Sequence, residues 1–374
     1  MWVKRSLISS EQMLAHAYYG ANDYTKIRFE GDDILNFENY TGGTRDIAKR
    51  TNRMFRDTSA FYHLLFVNSP SAQTIYVNGV EETSWRTNTT GNVSTWWNHN
   101  ISNTMFASVN GGSLYFSGVV SHVHFCDGTA LAPTVFGEYD ANGVWKIKTS
   151  PSFTLGTNGF TILKDGNTIT DQSTNSNAFT LGGGTLTNTE DSPSNVFATM
   201  NPLGSGAVTF SNGNNTVTKS GSGWLNAIAN IGASSGKWYV EAKAISIGSV
   251  TYGSYTGFVN LDVSNAQNTT TNFGETNDTA GISSGGGYIY YNTGTQFAGP
   301  TTATTNGDIV NLAMDLDNGF LYWGINGTYV NSGNPASGST GTGGMAISYL
   351  TADGTYTFGQ SIREGANYSW NFGN

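Results

Sequence analysis

Cysteine occurs once, at Cys126, in 374 residues. A single thiol excludes an intramolecular disulfide framework and any metal site built from several thiolates, so stability has to come from packing. Charge is scarce as well: only 11% of residues are Asp, Glu, Lys or Arg, and the balance is -9. Affinity for a polyphosphate comes from Lys and Arg releasing counterions, so nucleic acid is not an expected partner. Nine of the seventeen basic residues lie between Lys4 and Arg56, which leaves the acidic excess to the remaining chain. No basic segment followed by an apolar run opens the sequence, and no apolar run reaches the roughly 18 residues of a membrane span. Neither a signal peptide nor membrane insertion is therefore expected, and action outside a cell would need a route other than ordinary secretion.

What is abundant points one way. Glycine (48 residues), Ser, Thr and Asn crowd the chain, and aromatic residues reach 13%. That mixture suits many short strands joined by tight turns and does not suit long helices. The length holds two domains at about 150 residues each, and 37% hydrophobic content is enough for two cores. The expected fold class is all-β, as two antiparallel β-sandwiches.

Period-2 patterns place the strands. In Lys237 to Ala244 (KWYVEAKA), Trp238, Val240, Ala242 and Ala244 share one face, and Lys237, Tyr239, Glu241 and Lys243 the other. From Asp308 to Val330, alternating Val310, Leu312, Met314 and Leu316 lead into Asn318-Gly319, an aromatic strand and a second turn at Asn326-Gly327, which predicts a three-strand meander. Thr74 to Val80 runs likewise into Asn78-Gly79. Residues 141–194 lose this periodicity and become rich in Gly, Thr, Asn and Ser, although Val144, Trp145, Phe153, Leu155, Phe160 and Ile162 suggest that much of the stretch packs down. Ser9 and Gln12 have capping-box spacing before MLAHAYYG, a segment that also reads as a strand, and Pro133 to Phe136 suits a short helical turn.

The runs RDTSAFYHLLFVN (Arg56 to Asn68), IYVNGVEETS (Ile75 to Ser84) and SGVVSHVHFCDGTALAPTVFGEYDANGVW (Ser117 to Trp145) resemble the concanavalin A-like, laminin-G-type jelly roll of phage structural proteins. SGKWYVEAKA (Ser235 to Ala244), the meander from Gly307 to Pro335 and the terminal WNFG resemble a SPRY domain. The resemblance implies a jelly roll over 1–145, a partly ordered connector over 146–194 and a SPRY-like sandwich over 195–374. It further implies a tailed-phage virion as location, since phage particles leave by lysis and need no signal peptide. In that family a strand normally precedes the segment that here is Trp2-Val3-Lys4-Arg5. An exposed sheet edge within residues 1–40, completed by a neighbouring subunit or virion protein, is therefore expected.

Catalytic chemistry finds little support. A glycosidase needs two carboxylates about 5 to 10 Å apart, and the candidates at i, i+2 spacing are Glu30/Asp32, Glu138/Asp140 and Asp315/Asp317. None belongs to an E-x-D-x-x-E run, and no G-x-S-x-G elbow supports a nucleophilic triad. His122, His124 and Cys126 would share one face of a continuous strand, the sharpest metal-like spacing in the chain, but no fourth ligand completes a structural zinc set. Asp32-Asp33 lacks the spacing of a calcium loop. Neither metal nor cofactor is expected.

Recognition by loops is the remaining chemistry. Aromatic rings cover the apolar faces of sugars while Asn and Asp bond their hydroxyls. Two segments have that character: Trp85, Trp96, Trp97, Asn98 and His99, and Tyr288, Tyr290, Tyr291 and Asn292. The same rings could equally fill a core or a subunit interface. The expectation is a non-enzymatic, homo-oligomeric virion component that contacts other virion proteins and binds host surface glycan or receptor. An architectural decoration or cement role is the first alternative, and a polysaccharide depolymerase the second.

Overall fold

Alternation of apolar and polar side chains is realised as antiparallel strands throughout, with no α-helix among the described residues. The computed structural model describes all residues except 92–93, 99–101, 109–112, 165, 167, 184–185, 204–205, 249–252, 263–269, 300 and 351–353. The chain divides into two units, Met1–Val196 and Phe197–Asn374.

The first unit contains β1 (Trp2–Arg5), β2 (Gln12–Gly20), β3 (Asp23–Phe29), β4 (Ile34–Thr41), β5 (Thr44–Met54), β6 (Tyr62–Ser69), β7 (Ala72–Val77), β8 (Val80–Glu81), β9 (Trp85–Thr89), β10 (Ser102–Met105), β11 (Gly118–Ser121), β12 (Val123–Phe125), β13 (Gly137–Tyr139), β14 (Trp145–Ile147) and β15 (Phe160–Ile162). A five-stranded sheet in the order β11-β1-β6-β7-β8 accompanies a six-stranded sheet in the order β10-β2-β3-β4-β5-β9, with β12-β15 and β13-β14 as separate pairs. Val3, Leu14, Ile27, Phe29, Leu35, Phe37, Ile47, Leu64 and Ile75 from both sheets form the core between them. Gln12–Gly20 is a strand, and Pro133–Val135 is a 3-10 turn with Pro at its start.

The stretch 146–194 contributes to this unit: Phe160–Ile162 pairs with β12, and Asp191 reaches Lys4 at 2.8 Å. The open edge expected within residues 1–40 is not there. β1 pairs with β11 on one side and β6 on the other, and β2, β3 and β4 each lie between two neighbours. The incomplete edge belongs instead to β6, whose register with β1 covers only Tyr62 and His63 and is extended by reciprocal Met1–Leu64 bonds.

In the second unit, Lys237–Ile247 lies between Ala366–Asn371 and Ile309–Asp315 in one sheet, and Tyr255–Asn260 between Tyr356–Ile362 and Thr279–Ser283 in the other. The expected meander is present as Ile309–Asp315, Phe320–Ile325 and Thr328–Tyr329. Trp323, 2% exposed, sits edge-on to Phe258 at 4.7 Å in the core and donates Nε1–H to the Thr256 carbonyl at 3.1 Å. Alternation along Lys237–Ile247 buries Val240, Ala242 and Ala244 as expected, but Trp238 is 49% exposed at the strand's start. The fold is thus all-β, two antiparallel sandwiches.

Candidate functional site

The outer face of the six-stranded sheet in the first unit gathers the chain's densest polar chemistry. Because Ile27, Phe29, Leu35 and Phe37 point to the core, alternation sends Tyr24, Lys26 and Arg28 of β3, and Asn36, Glu38 and Tyr40 of β4, to the opposite side. Cross-strand register sets Lys26 beside Glu38 and Arg28 beside Asn36. Arg45 and Arg50 arrive from β5, and Glu11 and Glu30 from the flanking turns. All of these except the fully buried Asn36 line an open groove of about 390 Å³.

Ion pairs organise its floor. Arg28 contacts Glu38 at 2.6 Å and Glu11 at 3.1 Å, Arg45 contacts Glu38 at 3.3 Å, and Arg50 closes on Glu30. The Asn36 amide donates to Glu30 Oε1 at 2.8 Å and to Glu38 Oε2 at 3.2 Å. Two carboxylates sharing one amide are close enough for a glycosidase pair. Each of their oxygens is engaged by a guanidinium or by Asn36, so the two carboxylates belong to one charge network. Asn36 Oδ1 and Arg45 Nε are buried with no partner among the described residues.

Aromatic rings form the rim. Tyr24 and Tyr40 stack at 4.7 Å, with the Lys26 ammonium 4.3 Å from the Tyr24 ring centre. Burial pushes the Tyr24 hydroxyl up to about 12 and the Lys26 ammonium below its ordinary range. His16 is brought down to about 4 by burial and is neutral at pH 7. Outside the groove lining, Trp96 lies parallel to Tyr19 at 5.1 Å and 5°. Its amide donates to Thr25 Oγ1 at 2.9 Å and its indole N–H to the Tyr40 carbonyl at 2.8 Å, so both its main chain and its ring are fixed. Tyr19 is 66% exposed.

The other residues expected from sequence are distributed differently. Trp96–Asn98 is a 3-10 turn and not a strand. Trp97 nevertheless turns away from Trp96, toward Phe125 at 6.4 Å. Half-buried Trp85 packs against the core, with the Lys49 ammonium 5.5 Å from its ring. His99 lies outside the described residues. In the second unit Tyr291 stacks on Tyr349 at 4.9 Å, and Tyr290 lies near Tyr255 and Tyr288 at 6.1 and 6.0 Å, so these rings pack on each other. Asn292 (φ 37) forms the turn between Tyr291 and Thr295.

The carboxylates paired by sequence spacing each hold a structural partner. Asp32 pairs with Arg86, and Glu138 faces Lys148 at 3.5 Å. Asp140 accepts from the Asn142 and Val144 amides. Buried Asp315 meets Lys237 at 2.9 Å, and Asp317 accepts from the Gly236 amide. Asp33 spends its oxygens on Arg5 and Arg56, each at 3.0 Å. His122 adopts φ 47 and breaks the strand, so the one-face arrangement of His122, His124 and Cys126 does not form. His122 binds Ser121 Oγ, His124 binds Thr161 Oγ1, and the Cys126 thiol donates to the Thr154 carbonyl. Among the described residues no group of three or more His, Cys, Asp or Glu could hold a metal.

Sequence spacing missed Glu38, Arg28, Arg45, Asn36 and Tyr40. The outward set Tyr24-Lys26-Arg28 was legible as alternation, but its convergence with Glu38 depends on the β3–β4 register. A second cavity, of about 560 Å³, opens inside the same unit, lined by the continuous runs His63–Pro70 and Val123–Leu131 above a floor that includes Ala15, Ile27, Phe37, Trp97 and Met105.

Comparison with known proteins extends the description. No curated protein matches the chain. Among solved structures it is similar to the SPRY domain of human HERC1, at 15% identity over 46% of this chain and 96% of that chain with a TM-score of 0.35. It is also similar to a human SPRY domain, at 14% identity over 45% and 96% with a TM-score of 0.32. A third likeness is to the TRIM65 PSpry domain, at 13% identity over 46% and 91% with a TM-score of 0.34. Residues 1–135 match the family described as the concanavalin A-like lectin/glucanases superfamily, so the first unit carries a lectin-like sandwich whose outer sheet face bears the groove.

Proposed function

We propose that this protein is a non-enzymatic adhesion component of a tailed-phage particle, and that the groove of the first unit binds a host surface glycan. One observation carries the reading: the open groove brings the stacked Tyr24 and Tyr40 rings together with donors, acceptors and both charge signs at fixed positions. A sugar offers the matching surfaces, an apolar ring face for the tyrosines and hydroxyls for the carboxylates and guanidinium groups that line the groove. The order of motifs along the chain, which resembles that of phage structural proteins, supports the virion setting. An architectural role is favoured by a different feature, the exposed Trp238, Tyr239 and Ile245 on one strand of the second unit, which suit a subunit contact.

The test is binding of the full chain to an array of bacterial surface glycans. A bound glycan should lose at least tenfold in affinity to Tyr40→Ala, because each stacked ring contributes roughly 1 kcal/mol or more, and to Arg45→Gln. Both side chains are only partly buried, so their replacement leaves the fold intact. Reducing ends should not be released from the bound polysaccharide. Equal binding by Tyr40→Ala, or the absence of any glycan ligand together with tight self-association lost in Trp238→Ser, would favour the architectural reading instead.

A further inference from the structure

The charges that line the groove do not cancel. Arg28, Arg45 and Arg50 each meet a carboxylate within 3.3 Å, and Glu11, Glu30 and Glu38 are each held by at least one of those guanidinium groups. Lys26 is the fourth cation of the lining. Among the described residues no carboxylate stands at ion-pair distance from its ammonium, and no acceptor takes a hydrogen bond from it. Its ammonium lies 4.3 Å from the centre of the Tyr24 ring. A ring face satisfies one side of a group that carries three N–H donors. Four cations against three carboxylates thus leave the groove one positive charge in excess, and that charge sits on Lys26.

Register explains why the charge is left over. Lys26 stands opposite Glu38 on β4 and opposite His16 on β2. Glu38 is spent on Arg28 at 2.6 Å, on Arg45 at 3.3 Å and on the Asn36 amide at 3.2 Å. His16 is buried and, brought down to about 4, carries no charge at pH 7. Neither neighbour offers Lys26 a free carboxylate. Burial and the Arg28 charge hold its ammonium below the ordinary range, and an anion supplied by a ligand is the neighbour that reverses this.

The surroundings also limit how much charge the ligand brings. One surplus cation matches one negative charge, while three glutamates in the same lining repel a second. The whole chain stands at -9, which repels a densely charged polyanion at long range. Beside Lys26 the stacked Tyr24 and Tyr40 rings supply an apolar surface. A sugar whose carboxylate is attached to the ring itself presents charge and ring face together, whereas a phosphodiester polymer carries its charge on the links between residues. We propose that the groove reads an acidic sugar: a hexuronate residue rests against Tyr24 and Tyr40 and gives its carboxylate to the Lys26 ammonium. This inference rests on the glycan reading of the groove and adds the class of sugar. Lys26 is its specificity-determining residue, because a neutral hexose leaves the surplus charge as it was.

The experiment titrates the 374-residue protein, by calorimetry, with tetrasaccharides of alginate, polygalacturonate and hyaluronan, each beside its carboxyl-reduced counterpart. At least one uronate form should bind about tenfold tighter than its reduced form, the effect of one hydrogen bond to a charged group. Lys26→Gln should remove most of that preference while Lys26→Arg keeps it, and Tyr40→Ala should weaken both forms. Lys26 is only partly buried, and unchanged thermal midpoints establish that its variants fold. If reduced and uronate forms bind alike and Tyr40→Ala weakens both, the groove is a glycan site that does not read acidity. A preference that survives Lys26→Gln, or equal competition by a glycerol phosphate polymer, overturns the carboxylate assignment. Failure of every tetrasaccharide while the glycan array yields neutral ligands overturns the acidic class alone, and a blank array removes the glycan reading and this inference with it.

Discussion

Lys4 and Asp191, 187 positions apart, meet at 2.8 Å with side chains 3% and 1% exposed. Burial draws the Lys4 ammonium below its ordinary range while Asp191 pulls it back. The pair ties the far end of the first unit to the strand at its start. Asp191→Ala leaves the ammonium buried without its nearest carboxylate, and should cost about 3–5 kcal/mol in urea unfolding. Replacing both residues, by Met at 4 and Leu at 191, removes the charges together and should recover most of that loss. A cost below about 1 kcal/mol for Asp191→Ala would mean that the carboxylate is dispensable.

Acid sensitivity follows from three histidines. Trp145 donates its indole N–H to His63 Nδ1 at 3.2 Å, so that nitrogen carries no proton. Burial brings His63 down to about 2, His124 to about 3 and His16 to about 4, against an ordinary 6.5. The unfolded chain binds protons near pH 6.5 that the folded chain refuses. Stability from these rings is therefore complete above that pH and declines as pH falls toward 4, by up to about 1.4 kcal/mol per pH unit for each ring. Denaturant midpoints measured between pH 7 and pH 4.5 should show the decline, and His63→Gln should flatten it. An unchanged slope in the variant would assign the acid lability to other groups.

Gly79 is held twice. Its φ of +79, after Asn78 at +50, makes the tight turn between β7 and β8, and a Cβ there would stand 2.5 Å from the Trp145 ring. Gly79→Ala should therefore cost more than the roughly 1 kcal/mol of the backbone conformation alone, because Trp145 has to leave its stack on His63. Adding Trp145→Ala should make the two substitutions less than additive in thermal unfolding. Full additivity would show that the ring yields freely.

Much of the architecture was legible before any coordinate. Asn78-Gly79 and Asn326-Gly327 announce turns because both residues accept positive φ, and both pairs adopt it. The Lys237 to Ala244 alternation buries Val240, Ala242 and Ala244, since period 2 is a property of the extended backbone itself. Where the reading failed, the cause was a contact or dihedral that no local pattern encodes. His122 enters the left-handed region and breaks a strand that spacing alone continues, and His122, His124 and Cys126 each take a separate hydrogen-bond partner.

The groove shows the same division. Outward placement of Tyr24, Lys26 and Arg28 is dictated by alternation with Ile27 and Phe29, which the hydrophobic effect sends inward. Sequence spacing pairs Glu30 with Asp32, yet in space Glu30 shares Asn36 with Glu38, eight positions on. Register between β3 and β4 brings those groups together, and register is a long-range outcome of which faces both strands bury. Amino-acid order thus dictates strands, turns and faces through short-range sterics and solvation. The joining of Lys4 to Asp191 and the stacking of Tyr19 on Trp96 arise only when sheets pair and close, because each depends on atoms that the chain separates and packing reunites.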